Sequence, residues 1–480
     1  MGFVAFGRIH QGGGIEVAVM MFNKLRYWTF IHEIVYFAGC KYKCFARGAF
    51  IIFLLPIVLS IQKNIVSLYS AQLITVGSSF LSTLLLARLL GPDLQGEWSL
   101  YLQFTQFSTL LLSLGMPGAL VYFLASGKIG LQDAQRWIKR LLITAGLVLT
   151  VFTGLYALSN NRWILPDTLL VPWPVFLIPL HTLSLLAVQC QQALWQAQNQ
   201  FKQSAYIQGL GAVLLLFFSA LLYIGSSRIT GPLLWFLLVG QTAIALWQWH
   251  RLRTTLPSCL NNEIPRRSVE FTTVWRYSAL AFATNLIQFL NYKVDVWFLR
   301  YYECHNYDLG IYTLSVSLSQ LLWLLPQALQ SIIFRDIAHR KDIENLYRET
   351  RRWTGLLVLY VSIAGVLGAF LAKALVPVLF GEAYAEVSKM IGVLLLGIAP
   401  FGVIMIISAY FSGTGRVYIN FISAIIGFFV GVLGDLAWIP EYDIGGAAAA
   451  SVASYWSTAL FVLLVFFFEK KATRSAIRGE

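Results

Sequence analysis

The segment ARLLGPDLQGEWSLYLQFTQFSTLLL (87–112) returns in a weakened form as LRYYECHNYDLGIYTLSVSLSQLLWLL (299–325). Three pairs of residues correspond at offsets of 212 to 214: Arg88 with Arg300, Gly96 with Gly310, and Gln106 with Gln320. Residues 197–223 and 412–438 are related at a similar offset of 215. Two matches at nearly the same spacing predict an internal repeat, a common feature of membrane transporters.

The composition indicates a membrane protein. Of the 480 residues, 58% are hydrophobic and only 12% are charged, and the mean hydropathy is +0.69. Soluble domains carry about 25% charged residues, so a water-soluble fold could not bury this much apolar surface. The net charge of +13 comes from Lys and Arg that are spread over alternate loops, which argues against a nucleic-acid partner.

Apolar segments of about 20 residues are long enough to cross the hydrocarbon core of a bilayer. Twelve such spans are predicted, at 65–87, 98–124, 141–158, 170–192, 204–224, 230–249, 277–299, 309–333, 353–376, 386–411, 417–438 and 445–468. Six spans separate the repeated segments. Because six is even, the two copies share one topology, and we predict an all-α polytopic protein with two repeated six-helix lobes around a central cavity.

The charge of the loops gives the domain organisation and the orientation. Lys and Arg concentrate in the loops after even-numbered spans and in the C-terminal tail, and basic loops favour the cytoplasm. Both ends of the twelve-span unit are therefore expected in the cytoplasm. The expected lobes are residues 63–250 and 277–480, joined by a basic cytoplasmic linker, 251–276. Residues 1–62 form an N-terminal extension whose apolar run is short for a span.

Span 7 contains an unusually polar stretch, NLIQFLNYKVDVWFLR (285–300). At 3.6 residues per turn, one stripe of the helix carries Asn285, Gln288, Tyr292 and Asp295. A carboxylate at the centre of a membrane helix costs about 2.5–3.5 kcal/mol on insertion scales. We therefore expect this stripe to face water or a partner rather than lipid.

Matching polar stripes occur at repeat-related positions. The span 1 partners of the span 7 stripe are Gln72, Thr75, Ser79 and Ser82, and spans 2 and 8 carry Thr105, Gln106 and Thr109 against Ser319, Gln320 and Trp323. Four polar stripes turned toward one another would line a central cavity. The alternative is that the hydroxyls and amides only join helices, with each contact contributing about 0.6 kcal/mol.

The basic residues near these stripes have two interpretations. Lys293 lies beside the stripe and could reach outward to the interface or stack on Trp297. Arg88 and Arg300 lie at the outer ends of spans, where anchoring is the ordinary role, but their matching positions favour a place at the cavity mouth.

The sequence contains no pattern typical of an enzyme or of a cofactor site. It has no P-loop, no HExxH, no G-x-S-x-G, and no clustered His, Cys and Asp ligands. We expect no enzymatic activity, no cofactor and no metal site.

Residues 85–125, LLARLLGPDLQGEWSLYLQFTQFSTLLLSLGMPGALVYFLA, resemble the opening of bacterial oligosaccharide and polysaccharide flippases, including the O-antigen type. These belong to the multidrug/oligosaccharidyl-lipid/polysaccharide exporter superfamily. In the second half, NYKVDVWFLRYY, DLGIYTLSVSLSQLLWLLPQAL and IPEYDIGGAAAAS resemble the corresponding segments. The resemblance covers about 63–470.

The resemblance implies a flippase of the bacterial inner membrane that works by alternating access. Its substrate would be a polyprenyl-pyrophosphate-linked oligosaccharide, and its partners membrane lipids and a polysaccharide polymerase or glycosyltransferases. Family members place cations in the cavity to meet the diphosphate. The candidates here are Lys293, Arg88 and Arg300, with Asp295 as a candidate for ion coupling.

Two rival functions stay open. A cation-coupled multidrug antiporter of the same superfamily would use Asp295 as its proton or sodium site, although span 1 lacks the acidic residue usual in the first lobe. A membrane scaffold for a glycan-synthesis complex would not transport at all.

Overall fold

A computed structural model of the chain describes residues 63–125, 129–158, 164–165, 167–169, 174–198, 200–225, 233–255, 271–327, 329–330, 333, 343–414 and 416–478. The predicted extension, 1–62, lies outside these ranges. The chain divides into the units Met1–Ser67 and Leu68–Glu480. Of the first unit only 63–67 are described, as the helical start of α1, and everything below concerns the second.

Every regular element in the described ranges is a helix, which confirms the predicted all-α class. The α-helices are α1 Lys63–Ser113, α2 Met116–Ala125, α3 Leu131–Leu158, α4 Pro174–Ala197, α5 Phe201–Gly225, α6 Leu233–Thr254, α7 Phe271–Tyr301, α8 Asn306–Ser319, α9 Ile343–Phe380, α10 Val387–Leu395, α11 Ile398–Gly413 and α12 Val417–Arg478. Short 3-10 helices cover Asp167–Leu169, Gln320–Trp323 and Glu382–Tyr384.

Two of the helices are too long for a single membrane crossing, and both are broken inside. The apolar parts of α1 and α12 have 42 and 51 residues, or about 63 and 76 Å at 1.5 Å per residue, against about 30 Å of hydrocarbon. The break in α1 is at Gly91, with φ 68° and ψ 171°, just before Pro92. The break in α12 is at Asp443, with φ 48° and ψ −127°. Each helix therefore provides two of the predicted spans.

Six helices of the described residues are long and apolar enough to cross a membrane, and a bent pair of helices would make seven. If the bent pair is counted as one crossing and each of the two broken helices as two, these helices provide nine crossings. The remaining predicted spans correspond to α4, α6 and α7, which carry more polar side chains. The chain is thus a polytopic membrane protein, as the sequence predicted.

The region predicted to join the lobes is partly helical. Helix α6 continues to Thr254 and α7 begins at Phe271, so both enter the predicted linker, 251–276. The centre of that linker lies outside the described residues. The division into lobes at 63–250 and 277–480 remains our proposal, and the names N-lobe and C-lobe below refer to these ranges.

The second half of α1 forms the centre of the N-lobe core. Its Trp98 and Tyr101 are fully buried. They belong to one apolar cluster with Leu149 of α3, Ile178 of α4 and Leu237 of α6. Since lipid is as apolar as these side chains, close packing rather than hydrophobic transfer holds such helices together.

The C-lobe core lies between α9, α11 and α12. Ile406 and Phe411 of α11 are fully buried and share a cluster with Val361 of α9 and with Val462 and Phe466 of α12. The largest clusters of the two proposed lobes are thus distinct, whereas two smaller clusters join the lobes through Leu100 and Ala87 of α1.

The lobes meet backbone to backbone at two repeat-related glycines. A Cβ atom added to Gly96 would overlap with the carbonyl of Asn306, and one added to Gly310 would overlap with the carbonyl of Pro92. Asn306 is 214 residues after Pro92, and Gly310 is 214 residues after Gly96. The contact is therefore nearly symmetric, and the repeat seen in the sequence pairs with itself.

The same symmetry continues one turn further along the helices. The Thr313 hydroxyl donates a hydrogen bond of 2.9 Å to the Ser99 hydroxyl, and these residues are again 214 apart. Only residues without a large side chain allow two helices to approach this closely.

We predict that the smallest possible side chain at Gly96 disrupts this contact. Gly77, in the same helix, has nothing within 4 Å of an added Cβ. Gly77→Ala should therefore raise stability by up to about 1 kcal/mol through helix propensity, whereas Gly96→Ala should lower it. Thermal melting of the purified protein measures both.

A cysteine pair provides the structural readout. In a chain without its native cysteines, Ser99→Cys with Thr313→Cys should form a disulfide, and Gly96→Ala should reduce the yield while Gly77→Ala does not. Equal melting and equal crosslinking of the two alanine variants would contradict the close contact.

Candidate functional site

The polar stripe of α7 runs from the surface into the C-lobe. Asn285 and Gln288 are exposed, Tyr292 is half-buried, and Asp295 is 7% exposed. The Gln288 amide donates a long hydrogen bond of 3.4 Å to the Tyr292 hydroxyl. The structure thus keeps the predicted stripe on one face and shows that its buried end is the carboxylate.

Asp295 lies where α7, α8 and α12 meet, and it accepts three hydrogen bonds. The Tyr312 hydroxyl of α8 donates to Oδ2, as does the Ser451 hydroxyl of α12 at 3.3 Å. The backbone N–H of Val296 donates to Oδ1 at 2.8 Å. Such donors are what a carboxylate needs inside a membrane protein, where no bulk water compensates for its burial.

A second buried carboxylate interacts with the first. Asp435 of α12 is 2% exposed and interacts electrostatically with Asp295. Its Oδ1 atom is buried with no hydrogen-bond partner. Asp435, Tyr312 and Ser451 were not predicted as site residues, because neither the helical period nor the repeat relates them to Asp295.

Neighbouring positions fix α7 against α12. The Ser454 hydroxyl donates a hydrogen bond of 2.7 Å to Oδ1 of Asn291. A Cβ on Gly427 would overlap with Oγ1 of Thr458 in the second half of α12 and would lie 3.0 Å from Nδ2 of Asn291, so both halves of α12 pack closely together here, against α7. This contact sets the rotation of α7 and therefore the direction of Asp295.

A polar pocket of about 100 Å³ lies between the lobes. We call it the polar pocket. It is lined by Ser99, Leu102, Gln103 and Gln106 of α1, by Tyr292, Lys293, Asp295 and Val296 of α7, and by Tyr312, Thr313, Val316 and Ser317 of α8. Both lobes contribute amides or hydroxyls, which gives the pocket donors and acceptors suited to a hydroxyl-rich ligand.

Lys293 is the cation of this pocket. It is half-buried, and its charge interacts with the carboxylate of Asp295. Among the described residues no carboxylate lies within 4 Å of the Lys293 ammonium. The Gln103 amide donates a hydrogen bond across the lobes to the backbone carbonyl of Lys293. The ammonium group is therefore available to an anionic ligand.

The polar residues of α1 and α8 follow the repeat. Ser99, Gln103 and Gln106 line the polar pocket from one lobe at helical spacing. Thr313 and Ser317 line it from the other, each 214 residues after its α1 counterpart. Gln106 was a predicted site residue, whereas Ser99 and Gln103 were missed although their spacing of three and four residues was visible in the sequence.

Trp323 and Gln320 line a much smaller space of about 10 Å³, beside Tyr292 and Asp295. The Trp323 ring stacks on Phe401, with ring centroids 3.8 Å apart and an angle of 15° between the rings. Trp323 is 7% exposed. In this conformation it packs in the C-lobe core and supports Tyr292 rather than facing the polar pocket.

The span 1 stripe lies apart from the α7 stripe in this structure. Gln72 and Ser79 are exposed and Thr75 is half-buried, and none of the three lines the polar pocket. Ser82 is buried, and its hydroxyl donates to the carbonyl of Ser78 at 2.9 Å. A role of these residues in the cavity stays a prediction.

Arg88 and Arg300 hold helix ends together. The Arg88 guanidinium donates from Nε to the carbonyl of Leu379 at 2.5 Å and from Nη2 to the carbonyl of Val378. It thereby caps the C-terminus of α9, where a cation is favoured by the helix dipole. Arg300 donates from Nη1 to Oδ1 of Asn306 at 3.1 Å.

A hydrogen-bonded chain continues from Asn306 into the other lobe. The Asn306 amide donates to Oε1 of Glu97 at 3.2 Å, and the Thr168 hydroxyl donates to Oε2 of Glu97 at 2.5 Å. The two arginines therefore contribute to the contact between the lobes, near the end where Gly96 meets Gly310.

The connection between α7 and α8 is closed by Cys304. Burial, together with the nearby carboxylate of Asp443, raises the pKa of the Cys304 thiol to about 11. The thiol therefore stays protonated at physiological pH, and it donates to Oδ1 of Asp443 at 3.7 Å. This contact ties the break in α12 to the end of α7.

Comparisons with known proteins agree with the resemblance seen in the sequence. The family described as polysaccharide biosynthesis protein matches residues 85–389. No curated protein matches the sequence.

Solved structures share the fold. A lipid II flippase, MurJ, in an inward closed conformation is similar with a TM-score of 0.64 and 15% identity, over 83% of this chain and 87% of that one. An inward-facing multidrug resistance MATE transporter of the MOP superfamily is similar with a TM-score of 0.56 and 12% identity, over 86% of this chain and 99% of that one. A MOP superfamily transporter from Pyrococcus furiosus has a TM-score of 0.56 and 13% identity, over 86% of this chain and 96% of that one. At these identities the likeness establishes the fold alone.

We predict that the Tyr312 hydroxyl stabilises Asp295. Tyr312→Phe removes one donor from a buried carboxylate and should lower the free energy of unfolding by about 1–3 kcal/mol. Tyr206→Phe is the control, since Tyr206 is 62% exposed. Equilibrium unfolding of both variants measures the difference.

A double-mutant cycle separates this interaction from a packing effect. In an Asp295→Ala background the cost of Tyr312→Phe should largely disappear. An unchanged cost would mean that the hydroxyl stabilises something other than Asp295.

Proposed function

The chain belongs to the polysaccharide biosynthesis protein family, and we propose that it is a flippase for a polyprenyl-pyrophosphate-linked oligosaccharide in the bacterial inner membrane. The observation that carries the proposal is the polar pocket, in which amides and hydroxyls from both lobes surround one lysine. The fold shared with a lipid II flippase supports it.

The polar pocket suits the head of such a lipid. Sugar hydroxyls both donate and accept, and the amides of Gln103 and Gln106 do the same. Lys293 supplies a positive charge for the diphosphate, because a lysine ammonium attracts phosphate groups as a compact point charge. Arg88 and Arg300 act on transport through the lobe contact, since both bond to groups at helix ends.

The size of the pocket requires movement. About 100 Å³ is far below the roughly 300–1,000 Å³ of ordinary ligand sites, so an oligosaccharide cannot fit while the lobes are in contact. Translocation therefore separates the lobes around the pocket, first on one side of the membrane and then on the other. Separation breaks the Gly96–Gly310 contact, the Ser99–Thr313 hydrogen bond and the Arg88 cap.

The orientation follows from the basic loops. Both ends of the twelve-span unit lie in the cytoplasm, so the lipid-linked glycan enters from the leaflet where such lipids are assembled. A polysaccharide polymerase or glycosyltransferases would act before or after this step as partners.

The carboxylate pair supports coupling to a cation. Asp295 and Asp435 are both buried and interact, and two interacting negative charges inside a membrane protein are unfavourable unless a proton or a metal cation joins them. This arrangement also favours the second candidate function, a cation-coupled multidrug antiporter, whose fold is shared as well. The flippase and the antiporter are therefore distinguished by their substrates and not by the carboxylates.

The proposal predicts an effect on lipid-linked intermediates. Deleting the gene should cause lipid-linked oligosaccharides to accumulate and surface polysaccharide to disappear, as measured by mass spectrometry of lipid extracts. Lys293→Gln should reproduce much of this effect by removing the charge that meets the diphosphate. Lys373→Gln, on the exposed surface of α9, is the matched control. Unchanged lipid pools together with increased drug sensitivity would favour the antiporter.

Coupling predicts a separate effect of the carboxylates. Asp295→Asn and Asp435→Asn should abolish the dependence of transport on a proton or sodium gradient in proteoliposomes, because an amide cannot take up a proton at this pH and lacks the negative charge that attracts sodium. Asp133→Asn, in a surface ion pair, should not change it. Gradient-driven transport that persists in both variants would place the coupling ion elsewhere.

A further inference from the structure

A large apolar cavity of about 800 Å³ lies beside the polar pocket, and the proposed function does not use it. We call it the apolar cavity. Its walls come from both lobes and include Phe104 and Phe107 of α1, Val148 and Phe152 of α3, and Leu290 and Val294 of α7. Almost all of the lining is hydrocarbon or aromatic ring, and its few polar groups belong to Ser108, Trp297 and Tyr301.

The contents of this cavity are restricted by its chemistry. Water needs two to four polar partners to be held in a cavity, and these walls do not provide them. An empty space of this size would forfeit the dispersion contacts that packed interiors have. Between helices that cross a bilayer, a hydrocarbon chain is therefore the occupant that these walls suit.

The apolar cavity and the polar pocket share two walls. On α1, Gln103 and Gln106 line the polar pocket, while the next residues, Phe104 and Phe107, line the apolar cavity. On α7, Lys293 lines the polar pocket and Val294 the apolar cavity. Consecutive residues of a helix point about 100° apart, so each helix presents a polar face to one space and an apolar face to the other.

The depth of the cavity corresponds to about half of a bilayer. Its α7 lining extends from Leu290 to Tyr301, which is about 16 Å along the helix axis at 1.5 Å per residue. The hydrocarbon core is about 30 Å thick. Lys293 and Asp295 lie within the same stretch of α7, so the polar pocket is at the same depth as the apolar cavity.

This shared depth identifies the kind of lipid. A resident phospholipid keeps its head at the membrane surface and would place no polar group beside Lys293. A lipid in transit holds its head inside the protein while its tail stays in hydrocarbon. We propose that the apolar cavity binds the polyprenyl tail of the transported lipid while its head occupies the polar pocket. This inference rests on the proposed function.

The mouth of the cavity provides a matched pair of variants. Val148 and Val151 lie on α3 and are each 59% exposed, but only Val148 lines the cavity. Val148→Trp should fill the opening, whereas Val151→Trp should place an equally large ring toward lipid. Both substitutions add an apolar side chain to a lipid-facing helix, so neither should prevent folding.

The test uses the full chain in lipid nanodiscs with a diazirine-bearing polyprenyl phosphate. Labelling should map to cavity residues such as Phe107, Phe152 and Leu290, and Val148→Trp should reduce it about tenfold or more, the order expected for crowding an apolar site. Val151→Trp should leave it unchanged. A diazirine-bearing phosphatidylglycerol is the comparison probe. If it labels the same residues with equal efficiency, the site is one for bulk lipid and the proposal is overturned.

A transport assay separates this inference from the proposed function. If polyprenyl labelling depends on Val148 but reconstituted protein does not translocate a lipid-linked oligosaccharide, the tail site stands and the flippase proposal fails. If Val148→Trp translocates as fast as Val151→Trp, the flippase proposal stands and the tail site is overturned.

Discussion

The backbone contact between Gly96 and Gly310 is the constraint on which the arrangement of the lobes depends. Two helices can approach this closely only where neither carries a Cβ atom, since an added Cβ would overlap with the carbonyl of Asn306 or of Pro92. The approach brings the Ser99 and Thr313 hydroxyls together at 2.9 Å and aligns the polar faces of α1 and α8. The polar pocket exists because these two faces and that of α7 then surround one space.

The second constraint is that a membrane protein must satisfy its own polar groups. Asp295 is surrounded by donors from three different segments, and in the N-lobe the Tyr101 hydroxyl hydrogen-bonds to Nδ1 of the buried His181. Arg88 serves the same need at a helix end, where the carbonyls of Val378 and Leu379 would otherwise lack partners. Such groups mark where each helix must stop or face inward.

The two spaces between the lobes divide the chemistry of an amphiphile. Polar residues and Lys293 gather on one side of α1 and α7, and aromatic and aliphatic residues gather on the other. A protein that moved only a soluble drug would have no need for an apolar space half a bilayer deep beside its polar pocket. The arrangement therefore supports the proposed function, in which the cargo is itself a lipid.

The sequence by itself determined the class of the protein, its repeat and the polar stripe of α7. The length of the apolar segments, the helical period and the 214-residue spacing are properties of single segments or of their order. They can therefore be recognised without knowing how the helices pack. The tertiary structure alone decided which residues meet. Tyr312 and Ser451 lie 17 and 156 residues from Asp295, and no pattern along the chain connects them. It also turned Arg88 toward the end of α9 and kept Gln72 and Ser79 away from the α7 stripe. A helical period fixes the face on which a residue lies, whereas the partner of that face depends on the rotation and register that close packing imposes between helices.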